Sequence, residues 1–267
     1  MRFPLPILAL MAYASSALAA GEASNDRFSI SLGAFITDRD TDTRLDSETL
    51  GRGTDIDFED ALGLDASGTF ARLDGYYRFN RRHRFDFAVF DLSRDASATI
   101  DEQIQFGDEI FDINTVVSAE ADLLIVKAAY TWSFLVADGG YLGLTAGLYT
   151  ASVKASISEP TAGRAESDDL TAPLPVVGLR GEYAIAPRWT LRGSGEIFKI
   201  EIDDVDGSLS DFYVGVDYEV VDRMAIGLGY NSVTIEVDST NTDFSGTLDW
   251  TYDGALLYFK LGFGEID

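Results

Sequence analysis

The chain has 267 residues and no cysteine, with 45 acidic against 20 basic residues and a net charge of −25. So acidic a chain repels polyanions, which excludes nucleic acid as a partner, and without cysteine an exported form has neither disulfides nor a lipoprotein acylation site. No Pro-rich linker or shift of composition divides the sequence, so a single domain is expected.

The first residues read as an export signal. Met1 and Arg2 form a short positive region, Phe3 to Tyr13 an apolar stretch, and Ala17-Leu18-Ala19 a small-residue cleavage site. Cleavage is expected before Ala20, giving residues 1–19 as signal peptide and 20–267 as the mature domain. The apolar run contains Pro4 and Pro6 and falls short of the roughly 20 residues of a spanning helix. Any crossing of a membrane by the mature chain must therefore be made by strands.

The mature chain alternates in connection length: tight, often basic turns take turns with long acidic segments, the pattern of a transmembrane β-barrel. Phe28, Ile30, Leu32, Ala34 and Ile36 alternate with small polar residues, and only Phe35 interrupts that second face. An acidic segment, Asp38 to about Ser67, is expected to follow as a loop, with Thr54 to Phe58 a candidate extension of the strands. Ala71, Leu73, Gly75, Tyr77 and Phe79 oppose Arg72, Asp74, Tyr76 and Arg78, and a tight turn at Asn80 to His83 leads to Phe85, Phe87 and Val89. Residues Ala96 to Ser118 suggest a protruding hairpin that turns at Gly107-Asp108. Val126, Ala128, Tyr130, Trp132 and Phe134 return, turn at Ala137 to Gly140, and give way to Leu142, Leu144, Ala146 and Leu148. A loop is expected from Glu159 to Asp169.

The second half repeats the scheme. Val177 to Ile185 turns at Ala186-Pro187 into Trp189 and Leu191, ending near Ile202 before an acidic turn around Asp203, Asp204 and Asp206. Phe212 to Val220 turns at Asp222-Arg223 into Ile226, Leu228 and Tyr230, and the last strand is expected from Ala255 to Phe263. The fold class is thus all-β, an antiparallel up-and-down transmembrane barrel of about ten strands, with eight or twelve as the alternative counts.

A soluble exported sandwich or lipocalin-like barrel shows the same period of two. Three features favour lipid. Aromatic residues such as Tyr77, Phe79, Trp132, Phe134, Trp189 and Tyr218 gather at the tight-turn ends, where an interfacial girdle belongs. The apolar runs are long enough to cross the hydrocarbon tilted. The opposite face mixes glycine and small residues with isolated charges, as a crowded lumen does.

With its signal peptide, girdled strands, unequal connections and closing strand Ala255 to Phe263, the chain resembles the small outer-membrane β-barrels of Gram-negative bacteria, broadly the OmpA, OmpX and OmpW type. The resemblance implies an outer-membrane location, outer-membrane lipid and lipopolysaccharide as surroundings, and the barrel assembly machinery as a partner. Gly264 to Asp267 follow Phe263, a departure from relatives that end on an aromatic residue. The resemblance also puts the tight turns, with Arg81, Arg82, His83, Arg84, Arg188 and Arg223, in the periplasm and the acidic segments outside. Acidic outer loops keep a surface solvated, and they have the hard oxygen donors to bridge weakly through divalent cations to lipopolysaccharide phosphates.

Asp38, Asp40 and Asp42 have the spacing that opens an EF-hand, but Thr43 and Thr49 stand where its glycine and closing glutamate belong. No metal site or cofactor is expected. Enzymatic barrels of this membrane generally place a histidine near the outer side, whereas the one histidine here, His83, falls in a tight turn, so no enzyme is expected. Candidate site residues lie on the lumen face: Arg72, Arg78, Lys127, Arg180, Arg192 and Lys260 with Asp74, Asp86, Glu182, Glu196, Asp217 and Glu219. Both signs in a confined interior point to pairing. The expected role is structural or surface-interacting, the alternative a narrow channel for small solutes or ions lined by the same residues, and the third reading a lipid-modifying enzyme.

Overall fold

The computed structural model describes residues 25–47, 49–202, 205–240 and 245–266. The signal-peptide segment and Asp203 and Asp204 of the acidic turn lie outside the described residues. The elements are β1 (Asp26–Leu45), β2 (Ile56–Asp57), β3 (Ser67–Asn80), β4 (His83–Thr99), β5 (Ile104–Phe106), β6 (Glu109–Phe111), β7 (Val116–Ala137), β8 (Gly140–Glu159), β9 (Arg164–Ala186), β10 (Trp189–Ile202), β11 (Val205–Val221), β12 (Met224–Thr240) and β13 (Ser245–Glu265). Ten of these, β1, β3, β4 and β7 to β13, form an antiparallel ring in which each pairs with its neighbours in sequence. The ring closes where β1 pairs with β13 from Asp26↔Glu265 to Leu45↔Gly246. Closure removes the open edges that hydrocarbon does not tolerate.

Near the tight turns the outward side chains are apolar. β1 presents Leu32 and Ile36, β7 presents Leu124, Val126, Tyr130, Trp132 and Phe134, and β12 presents Ile226, Leu228 and Tyr230, all exposed. This band is the lipid-facing belt, and Trp189 against Tyr218, with ring centroids 4.8 Å apart, belongs to its aromatic girdle.

Above the belt the long strands other than β3 change polarity: the outer face turns polar, and on all of them but β1, whose inner Thr37, Arg39, Thr41 and Thr43 are polar, the inner face carries apolar residues. On β4, Val89 faces out but Asp91, Ser93 and Asp95 follow it, while Phe90 and Leu92 point inward and are buried. On β7 the change falls between Asp122 and Leu124, with Val117, Ala119, Ala121, Leu123 and Ile125 buried inside. The physical reason is the change of solvent. In hydrocarbon the outer face must be apolar, whereas in water the same sheet must hide its apolar face.

The upper half is also split. β3 reaches Ser67 and β4 reaches Thr99, yet their pairing stops at Arg72↔Phe90. β9 and β10 part above Val177↔Ile197. Two sheets result, one from β4, β7, β8 and β9 and one from β10 to β13 with β1 and β3. An apolar core that includes Leu92, Ile157, Val176, Val233, Ile235, Trp250 and Tyr252 joins them.

Several expected loops prove to be strand. β1 runs through Asp38 to Leu45 because β13 begins at Ser245 rather than Ala255 and pairs with it throughout. The loop expected over Glu159 to Asp169 shrinks to residues 160–163, since β8 and β9 stay paired up to Glu159↔Arg164. The hairpin β5–β6 does turn at Gly107-Asp108, with Gly107 at φ 57°, but it folds inward instead of protruding. Ile104, Phe106 and Phe111 are buried together with Ile56, Phe58, Leu62 and Leu64 of the preceding long connection. With water around them, these alternating apolar residues have only the barrel mouth in which to hide.

Candidate functional site

The lumen within the belt holds a connected network of charges. Arg72 on β3 donates from Nε to Asp74 at 3.0 Å and from Nη1 to Asn231 Oδ1. Asn231 passes the link on through Nδ2 to Asp211 at 2.6 Å. Lys127 on β7 lies 3.3 Å from Asp211 and also pairs with Glu196, and the Tyr149 hydroxyl bonds both carboxylates. Arg180 on β9 reaches Glu196 at 3.2 Å and Asp86 at 3.8 Å.

At the tight-turn end, Arg84 holds Asp86 at 2.6 Å and Glu182 at 2.6 Å. Glu182 also takes Arg78 at 2.8 Å and Arg192 at 3.5 Å. Arg192 continues to Asp217 at 3.6 Å, which Lys260 meets at 3.1 Å. Each member hands on to the next, so the pairs form one web across the lumen. Seven cations (Arg72, Arg78, Arg84, Lys127, Arg180, Arg192, Lys260) face six carboxylates (Asp74, Asp86, Glu182, Glu196, Asp211, Asp217), nearly neutral as a confined interior requires. Tyr76 lies beneath the guanidinium of Arg84, 3.9 Å from its centroid, and stabilises the charge by cation–π attraction.

Of the residues singled out from sequence, Glu219 stands apart. It is half-buried near the tight-turn end, and its backbone N–H donates to Arg188 O; it enters none of the ion pairs found among the described residues. Arg84, expected on the periplasmic rim, is buried and points inward. It shares the parity of Asp86 on β4, and that parity was the available signal. Asp211, missed altogether, lies on the same face of β11 as Tyr213 and Asp217. Asn231 and Tyr149 are uncharged links that only the geometry identifies.

The web leaves a cavity of about 50 Å³, lined among others by Arg72, Asp86, Lys127, Arg180 and Tyr258, enough for a few waters and too small for a solute. Above it lies the apolar core, and within that upper half, level with Tyr252 and Trp250, a second charged patch. Where β3 stops, the connection 57–66 fills the wall. Arg39 N–H donates to Ala66 O at 2.7 Å, Arg39 Nη2 to Asp65 O at 2.9 Å, and the Glu59 carboxylate takes Thr41 N–H at 2.9 Å and pairs with Arg94. Burial, then the neighbouring Arg94, pulls the Arg39 guanidinium down to about 10.

On the outer wall just above the belt, Asp42 stands directly opposite both Asp249 of β13 and Asp57 of β2, and Glu236 of β12 stands opposite Asp249. Like charges directly opposite one another repel. Burial, then Asp40, Asp57 and Asp249, raises the Asp42 carboxyl, and burial, then Glu236 and Asp40, raises that of Asp249.

The sequence matches the family described as outer membrane protein beta-barrel domain over residues 5–219. The chain belongs to this family. This outer-membrane β-barrel is similar in fold to the outer membrane protease OmpT of Escherichia coli, with a TM-score of 0.59 at 12% identity over 90% of this chain and 98% of that one. Weaker likenesses are to Ail, the attachment invasion locus protein of Yersinia pestis (TM-score 0.37, 14% identity, 88% and 100% coverage), and to the Pseudomonas putida toluene transporter TodX (TM-score 0.35, 8% identity, 90% and 90% coverage). No curated protein matches the sequence.

Proposed function

We propose that this outer-membrane β-barrel is a closed structural and surface-interacting protein, with its tight turns in the periplasm and its acidic half outside. The observation that carries this reading is the packing of the interior: a salt-bridged layer within the belt that encloses a cavity of about 50 Å³, with an apolar core above it. A channel needs a continuous wet path, and a salt-bridged layer beneath an apolar core argues against one. The acidic rows above the belt suit bridging by divalent cations to lipopolysaccharide phosphates, because carboxylate oxygens are good ligands for hard cations. The barrel assembly machinery would insert the protein in the membrane.

The reading is also non-enzymatic. His83, the one histidine of the chain, lies at the tight-turn end with Nδ1 against the Tyr130 hydroxyl, away from the acidic half where a surface substrate would arrive. Single-channel recording of the refolded protein in planar bilayers tests the proposal: no conductance above the bare-bilayer level is expected, and discrete openings would replace it with the narrow-channel reading.

A further inference from the structure

The rim of β9 is an open strand edge. β9 and β10 pair up to Val177↔Ile197, and continuing that register sets Ile202, the last residue of β10, opposite Ala172. Residues 164–171 of β9 therefore rise beyond the end of β10. On its other flank the same segment is fully paired with β8, from Arg164↔Glu159 to Thr171↔Ser152. The second split, between β3 and β4, is filled by the connection 57–66, and nothing comparable fills this one among the described residues.

Two prolines fix which groups are open. In an antiparallel ladder each residue sends its N–H and C=O to the same side, and the sides alternate along the strand. Pro173 and Pro175 have no N–H, yet the β8–β9 register continues through Pro173↔Thr150 and Pro175↔Leu148. The prolines must therefore face away from β8. Ala165, Ser167, Asp169 and Thr171 share their parity and aim their backbone groups at the open side. The Asp169 N–H is capped by its neighbour Asp168 at 2.9 Å, while among the described residues no backbone bond outside the ladders reaches the N–H of Ser167 or Thr171.

The side chains describe what would fit. Outward, Ala165, Ser167, Asp169 and Thr171 are small and exposed. Inward, Glu166 and Asp168 are half-buried, and burial followed by Asp108 and Glu109 raises the Glu166 carboxyl. The nearest cation on the strand, Arg164, is engaged with Glu159 at 2.9 Å and with Ile110 O at 2.6 Å.

We propose that the edge Arg164–Thr171 is a docking site for an extended polypeptide segment of a partner, added as a further strand and carrying lysine or arginine at alternate positions to meet Glu166 and Asp168. Backbone bonds supply the attraction and the alternate cations the selectivity, as in other strand additions. A second copy of this chain fits poorly, because pairing two such edges sets Glu166 and Asp168 against their own duplicates. The inference rests on the surface-interacting reading and names its partner class. The conductance test bears on that reading alone, and the following one on the edge alone.

The probe is a fluorescent peptide of alternating lysine and threonine, added to the refolded full chain in detergent and followed by anisotropy, beside the same peptide N-methylated at every second amide. The unmodified peptide should bind, and N-methylation should weaken it about ten-fold or more, because it removes strand bonds and leaves the charge. The variant S167P/T171P should lose binding to a similar degree while keeping its heat-modifiable migration on gels, since those two N–H groups do not serve the β8 ladder. Hydrogen exchange at Ser167 and Thr171 should be fast in the free protein and slow with peptide. Equal binding of both peptides, or exchange already slow without peptide, overturns the proposal. Concentration-dependent dimers whose contact is lost in S167P/T171P also overturn it and assign the edge to a second copy.

Discussion

Arg84 on β4 and Glu182 on β9 meet at 2.6 Å across the lumen, although β7 and β8 stand between their strands in the wall. The bond is a strut, not a neighbour contact. Glu182 is the hub of the tight-turn half of the web, because Arg78 and Arg192 reach it as well.

Replacing Glu182 by Gln leaves three guanidiniums with a neutral partner in a closed space. The cost of breaking a buried pair is about 3–5 kcal/mol, and urea unfolding of the refolded barrel should register it. A change within about 0.5 kcal/mol, as at an ordinary surface position, would mean that the lumen is wet.

Arg180→Ala probes the middle of the web. Glu196 keeps Lys127 and the Tyr149 hydroxyl, so the loss should fall at the lower end of about 3 kcal/mol, with Asp86 still held by Arg84. Bilayer recordings should find the variant leakier than the wild type. If neither stability nor conductance changes, the confined lumen around β9 is wrong.

Gly227 is required by its neighbour. A Cβ there would enter the ring of Tyr258, whose hydroxyl lies 2.9 Å from that of Tyr213 and donates to Asp217. Gly227→Ala should destabilise by about 1–3 kcal/mol through overpacking. Gly193→Ala is the control, since its Cβ finds an ordinary 3.6 Å contact with Tyr213 O, and it should be close to neutral.

The acidic rows make the outer half sensitive to pH. Asp42 and Asp249 have carboxyls raised above their ordinary range, so the folded state holds their protons more tightly than the unfolded chain. Their contribution to stability is therefore greatest below the ordinary carboxylate range, about 4, and falls as pH rises through the raised values. Mild acidification from neutrality should raise the hydrogen-exchange protection factors, taken against the intrinsic rate at each pH, in the upper parts of β1 and β13. Asp249→Asn should give the same gain in protection at pH 7 and blunt the response to acid.

Protease access follows the corrected strand ends. Trypsin added to intact cells should cut after the exposed Arg52 or after Arg164, which follows the turn 160–163, and should spare the stretch Asp38–Leu45, which is strand and paired with β13 throughout. Cleavage confined to Arg81, Arg82 or Arg188 would reverse the orientation.

Local pattern determined a good deal. Alternation of apolar and polar residues from Phe28 to Ile36 or Leu257 to Phe263 fixes an outward face, because a strand places successive side chains on opposite sides whatever surrounds it. Tight turns such as Pro187-Arg188 mark one end of the ring. Pro173 and Pro175 mark in the sequence itself where β9 stops sharing bonds with β10. The tertiary structure decided what alternation cannot carry. Asp38 to Leu45 reads as an acidic loop until β13 is seen to pair with it from more than 200 positions away in the chain, and the hairpin at Gly107 reads as a protrusion until the mouth offers it an apolar core. The partners within the lumen were equally illegible. Which carboxylate meets Arg84 or Lys127 depends on the register and stagger of ten strands at once, a property of the closed ring that no single segment contains.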